Sequence, residues 1–126
     1  MIIDGINAAM SACTALTDIV GQYIYLVALP AGYTVPAVTY YVVSSPTALT
    51  LDGVAINTTA VDINVWANSY HHAARGQQAL HELFDGFSGP LPDGTNVLIT
   101  TSQDAPDQYE QDTRLYRCTT TFYFQH

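Results

Sequence analysis

Ala60-Val61-Asp62-Ile63-Asn64-Val65-Trp66-Ala67, running through Asn68-Ser69 into an alanine-rich stretch that ends at Phe87, is the segment that decides the fold. Val61, Ile63, Val65 and Ala67 recur at period two and share one face of a strand, while Asp62, Asn64 and Trp66 share the other. The first face is core and the second is partly wet. Beyond it, Ala73, Gln77, Leu80, Phe84 and Phe87 follow at steps of three and four, with Ala74 and Leu83 widening the stripe. This predicts a helix that covers the apolar face of its own preceding strand. Ser69 stands where an N-cap is expected, its hydroxyl able to accept a backbone N–H.

The flanking sequence supplies more strands and one more helix. Asp4 to Leu16 reads as a helix, because Ile6, Ala9, Met10, Cys13 and Leu16 keep helical spacing and Asp4 favours the positive end of the dipole. Gly21 stops it. Tyr23 to Val27 and Ala37 to Val43 are aromatic and β-branched, hence strands, punctuated by Pro30-Ala31-Gly32 and Ser44-Ser45-Pro46. Thr47 to Gly53 reads as a hairpin arm or loop, with Asp52-Gly53 as its turn signal. Gly86 to Gly94 reads as a connection and Thr95 to Thr101 as a strand. Ser102 to Thr113, with four carboxylates and Pro106, reads as an exposed acidic connection. Leu115 to Phe124 closes the sheet, with Tyr116, Cys118, Thr120, Phe122 and Phe124 on one face. The order predicts an α+β domain, an antiparallel or mixed β-sheet with two helices packed on one face.

Length and charge narrow the function. A chain of 126 residues is one domain, residues 1–126, large enough to hide roughly two-thirds of its unfolded surface. Charged residues make up 11% of it, and there is no lysine; Arg75, Arg114 and Arg117 face eleven acidic residues, for a formal net charge of −8. Phosphate gripping draws on several cations acting together, so a nucleic-acid clamp is disfavoured and a P-loop is excluded. An acidic surface instead lets DNA slide past. Cys13 and Cys118 match no metal or redox spacing and read as buried free thiols. The amino terminus has no basic region followed by an apolar run, and no stretch is long enough to span a membrane. Synthesis in a reducing cytoplasm follows.

Chemistry is sparse. His71, His72 and His81 share the main helix, but at about 100° per residue they do not converge on one ion, and no metal is expected. Gly86-Phe87-Ser88-Gly89 lacks the spacing of a nucleophile elbow and reads as a helix stop. Asp62 and Glu82 have no evident partner. No catalytic residue, cofactor or enzyme activity is predicted. Trp66, on the wetter strand face, either anchors a protein contact or packs under a loop of its own chain.

Several segments together resemble the tail terminator, or tail completion, proteins of long-tailed bacteriophages. They are Ile19-Val20-Gly21-Gln22-Tyr23-Ile24-Tyr25, Leu29-Pro30-Ala31-Gly32, Pro36-Ala37-Val38-Thr39-Tyr40, the Val61 to Ala67 strand with its helix, and Tyr109 to Arg117 leading into the aromatic last strand. Tyr23 and Thr121 stand where the family often has arginine and an acidic residue. The resemblance implies a homo-oligomeric ring, typically of six subunits, that caps the tail tube, stops its polymerisation and docks the head-side connector protein. It implies a place in the virion tail at the head–tail junction after a stay in the host cytoplasm, with DNA passing through the lumen, no sequence-specific nucleic-acid binding and no membrane. The expected contact residues are Asp52, Trp66, Asp104, Asp107, Tyr109, Glu110 and Asp112, on or beside the loops Ser44 to Gly53 and Ser102 to Thr113. The alternatives are an acidic DNA-mimic inhibitor, favoured by net charge, and a small hydrolase, favoured by scattered His and Ser.

Overall fold

A computed structural model of the chain describes residues 2–21, 23–29, 31–32, 34–44, 47–49, 55–111 and 114–126. Asp52 and Asp112, and the Asp52-Gly53 turn, lie outside the described residues. The elements are α1 (Ile2–Ala12), α2 (Thr14–Val20), β1 (Ile24–Leu26), β2 (Ala37–Ser44), β3 (Thr47–Leu49), β4 (Ala55–Ala67), α3 (Tyr70–Phe84), β5 (Gly89–Pro90), β6 (Asn96–Val97), β7 (Ile99–Asp104), β8 (Gln108–Glu110) and β9 (Leu115–Gln125). The fold is α+β with a mixed sheet. Its order is β1-β2-β4-β9-β7, with β3 paired to β4 and β8 to β9. Among the described residues only β1 against β2 is parallel.

The decisive strand is the centre of this sheet. β4 pairs with β2 from Ala60 to Trp66 and with β9 from Thr58 to Ala67, so both its edges are used along this stretch. Val61, Ile63, Val65 and Ala67 are fully buried under the helices, as alternation predicts. The first three share a core with Phe122 and Phe124 of β9, Leu80 and Phe84 of α3, and Ile6, Met10, Leu16 and Val20 of the amino-terminal helices, while Ala67 packs with Ala73 and Cys118. The rings of Phe84, Phe122 and Phe124 stack edge-on or tilted at centroid distances of 5.3, 5.4 and 6.3 Å.

Several expectations needed adjusting. The single helix expected from Asp4 to Leu16 is two, because Cys13 is extended (φ −81°, ψ 107°) and the chain turns there, letting Leu16 and Val20 reach the core from α2 while Ile6 and Met10 reach it from α1. Cys13 is therefore half-buried at a junction rather than buried on a helix, whereas Cys118 is buried; both are free thiols. Ser69 is the N-cap residue of α3, yet its side chain makes no capping bond. The apolar stripe of α3 also includes Gly76 and Ala79, which the three-four reading passed over. The helix stops at Phe84, earlier than expected, with Gly86 at φ +68°, the left-handed position that ends helices.

Candidate functional site

The helices cover one face of the sheet, and the other carries hydrogen-bonded side chains in rows that follow the register. Thr39, Asn64 and Thr119 are directly opposite one another on β2, β4 and β9. Asn64 Nδ2 donates to Thr39 Oγ1 at 3.3 Å, and Thr119 Oγ1 donates to Asn64 Oδ1 at 2.5 Å. In the next row Tyr41 Oη donates to Asp62 Oδ2 at 3.2 Å, and Thr121 Oγ1 donates to Asp62 Oδ1. Burial, then the neighbouring Asp62 charge and its hydrogen bond, raise the Tyr41 pKa. The polar side chains of these two rows bond to one another.

Trp66 closes the third row. Its Nε1 donates to Thr39 Oγ1 at 2.9 Å, and the Arg117 guanidinium lies 5.3 Å from the ring centroid, a cation–π contact. Arg117 Nη1 is 3.5 Å from Glu110 Oε1, and Nη2 donates to Gln108 Oε1. The most basic group of this face is thus held by an aromatic ring and by β8. Between these residues and Val27, Ala28, Leu29, Ala31 and Gly32 lies a cavity of about 460 Å³, also lined by Tyr41 and Leu115. Trp66 is half-buried on its floor, so it both packs within its own chain and faces an open space.

The acidic stretch is not a free loop. β7 and β8 both pair along β9, which extends regular structure through Asp104 and again from Gln108 to Glu110. The sequence reading missed this because Pro106 and the carboxylates argue against a strand, whereas an interrupted edge strand tolerates both. Its side chains divide between the two faces. Asp104, Asp107 and Tyr109 turn toward α3 and Tyr116, while Gln108 and Glu110 meet Arg117. Tyr70 Oη donates to Asp107 Oδ2 at 2.6 Å, and the rings of Tyr109 and Tyr116 lie 4.8 Å apart. Burial, with a hydrogen bond to Asp107, pushes the Cys118 thiol up to about 12, so it is an unreactive packing group.

At the other end of α3 a charged cluster forms that sequence spacing did not reveal. His81 Nδ1 is 2.7 Å from Asp85 Oδ2, and Nε2 is 2.7 Å from Asp104 Oδ1. Asp104 Oδ1 also accepts from Thr120 Oγ1 at 2.8 Å, and Ser102 Oγ donates to Asp85 Oδ1 at 2.6 Å. Gln77 Nε2 reaches Thr120 Oγ1 at 2.9 Å. The i, i+4 pair His81 and Asp85 was legible; the third and fourth members come from β7, far along the chain. Serine, histidine and aspartate meet here, but both imidazole nitrogens face carboxylates and Ser102 donates to Asp85. Ser102 Oγ also lies 3.4 Å from His81 Nδ1, but its shorter bond is to Asp85 and that nitrogen is turned to Asp85 Oδ2 at 2.7 Å, so the contacts read as a clamp rather than the serine–histidine pair the hydrolase alternative needs. His71 and His72 are exposed on the first turn of α3, away from it.

Of the expected contact residues, then, Trp66 and Glu110 come together around Arg117, and Asp104, Asp107 and Tyr109 are brought to the opposite side of the same edge. No helix among the described residues is long and apolar enough to cross a membrane. The family model described as Tail completion protein gp17 matches residues 4–124. No curated protein matches the chain. A solved chain from a structure described as the virion of a native gene transfer agent (GTA) particle is similar in fold, with a TM-score of 0.72 at 15% identity over 95% of this chain and 90% of that one.

Proposed function

Because the chain belongs to the tail completion protein gp17 family, and is therefore a structural protein of the virion tail, we propose that its copies close into a ring on the end of the tail tube. That ring, typically of six subunits, stops tube polymerisation and offers the head-side connector its docking surface. The observation that carries the reading is the unlikeness of the two edges of the sheet. A ring needs a heterologous contact, with two different patches on each subunit. One edge, β1, is neutral and apolar, with Tyr23, Leu26 and Val27 exposed. The other, β7 and β8, carries Asp104, Asp107, Tyr109 and Glu110.

The helix-free face suits the lumen. Rows of its polar side chains bond to one another, and although Arg117 Nε is buried without a hydrogen-bond partner, the rest of that guanidinium is engaged by Trp66, Gln108 and Glu110, so among the described residues it offers DNA phosphates little cationic grip. Asp52 and Asp112 belong with the loops that meet neighbouring subunits, tube or connector. Binding without catalysis is the whole of this activity.

Solution mass and electron microscopy, on the protein alone and with tail tubes, test it. Rings capping tube ends are expected, with Trp66 fluorescence changing on assembly. A monomer indifferent to tube ends would refute the proposal, and an unchanged spectrum in a formed ring would remove Trp66 from the contact.

A further inference from the structure

The acidic edge is fastened to α3 at both ends. Near the start of the helix the fastener is a neutral phenol, Tyr70 on Asp107; near its end it is an imidazole between two carboxylates. A neutral imidazole has one N–H and one lone pair, so it can satisfy one of two facing carboxylates and must repel the other. Distances of 2.7 Å on both nitrogens fit the imidazolium, with two N–H donors. We propose that His81 is a proton-dependent latch, which when charged pins the end of β7 to the last turn of α3 and when neutral lets that end go.

The surroundings support a single titrating group. Asp85, the C-cap residue of α3, and Asp104 on β7 are the charges acting on His81. β9 contributes Thr120 and the Phe122 ring, 5.7 Å from the imidazole, and β7 adds Ser102, none of them ionisable in this range. Glu82, next to His81 in sequence, is exposed and bonded to Gln78. Further along the edge, Tyr70 and Cys118 face Asp107, and both have raised pKa values, Cys118 to about 12, so neither ionises near neutrality. Burial lowers the pKa of His81, but the hydrogen bonds and charges of Asp104 and Asp85 outweigh this and hold it above its ordinary value. The last turn of a helix also favours a cation.

The sign follows from the raised value. The latch's contribution is complete below the pKa of histidine in the unfolded chain and is lost as pH rises through the higher folded value. On release the proton passes to solvent and one carboxylate faces a lone pair. Asp104 keeps Thr120 Oγ1 and a long contact of 3.4 Å from Gln77 Nε2 of α3, and Asp85 keeps Ser102 Oγ, so the edge loosens at one end without detaching and stays paired to β9. What changes is the acidic surface that Asp104, Asp107 and Tyr109 present. The latch belongs to the single chain and is independent of ring formation.

A ¹⁵N NMR titration of the whole protein tests it. The expected result is a His81 midpoint above ~6.5, both ring nitrogens protonated below it, and backbone amides of residues 103–107 shifting with the same midpoint. Asp104→Asn should bring the midpoint down toward the ordinary value, and Asp104→Glu should restore part of the shift. Between pH 6 and pH 9 the Tm of the natural chain should fall by roughly 2–5 °C more than that of His81→Gln. A midpoint at or below ~6.5, silent amides at 103–107, or no response to Asp104→Asn would each overturn the latch. Should His81→Gln fail to fold, the Asp104 variants decide the matter.

Discussion

Gly76 shows how closely α3 lies on the central strand. A Cβ built there would sit 2.6 Å from Val65 Cγ1, inside any real carbon–carbon contact, and Val65 is fully buried and β-branched, so it has no room and few rotamers with which to yield. Two effects of Gly76→Ala oppose each other. Alanine gains about 1 kcal/mol of helix propensity, while overpacking a close-packed core costs about 1–3 kcal/mol. The rigid neighbour decides for the second, and we expect net destabilisation of about 1 kcal/mol, read as a lower urea midpoint at unchanged m-value. Gly76→Ala combined with Val65→Ala should then lose less than the sum of the two single changes, because the alanine methyl fills part of the space the valine leaves. Strict additivity would mean that the two residues do not touch. The sequence held the clue: in an otherwise apolar stripe of Ala73, Leu80 and Phe84, a glycine one turn in is unfavourable unless something must come close.

At the scale of the element, β1 stops in a way that helical or strand propensity does not explain. Val27 has φ +75°, Ala28 N donates to Leu26 O at 3.0 Å, and Val27 N donates to Tyr40 O at 2.9 Å, which makes Val27 the centre of a γ-turn of the rare, strained kind. A β-branched residue in that region costs about 1–3 kcal/mol, and Val27 recovers little by packing, being 64% exposed beside Leu26 at 56%. Val27→Gly should therefore leave the isolated chain as stable as before, or more stable by up to about 1 kcal/mol, once the extra unfolded-state entropy of glycine is subtracted. If the exposed valine serves the edge contact, the same variant weakens assembly; a clear loss of monomer stability in denaturant would show instead that the turn is unstrained. This turn also marks where legibility ended. Alternation on β4 and β9 and the stripe on α3 were readable because each buries one face along its whole length. The break at Cys13 and the γ-turn at Val27 arise where the chain must fit a shared core, and no local residue signals them, whereas Pro106 signals the gap in the edge but not the strands on either side of it. The His81 cluster was half legible, since its Asp85 lies one turn away and its Asp104 arrives only through β7.

For the whole molecule, charge sets a condition on assembly. Each copy carries a formal −8, and of the cations Arg117 is already engaged by Glu110 and the Trp66 ring, so copies brought edge to edge repel over the range that salt permits. The β1 edge offers apolar side chains and backbone groups, not counter-charges, to the acidic β7–β8 edge. A contact of that composition gains from burial and loses to long-range repulsion, and screening relieves only the second. The Debye length falls from about 30 Å at 0.01 M salt to about 8 Å at 0.15 M, less than the width of one subunit. Self-association, followed by sedimentation or single-particle mass at fixed protein concentration, should therefore strengthen as salt rises through this range. A contact held by ion pairs across the interface would respond in the opposite direction, and dissociation on adding salt would move the search for the interface from the neutral β1 edge to surfaces that bring Arg75 or Arg114 against a neighbour's carboxylates.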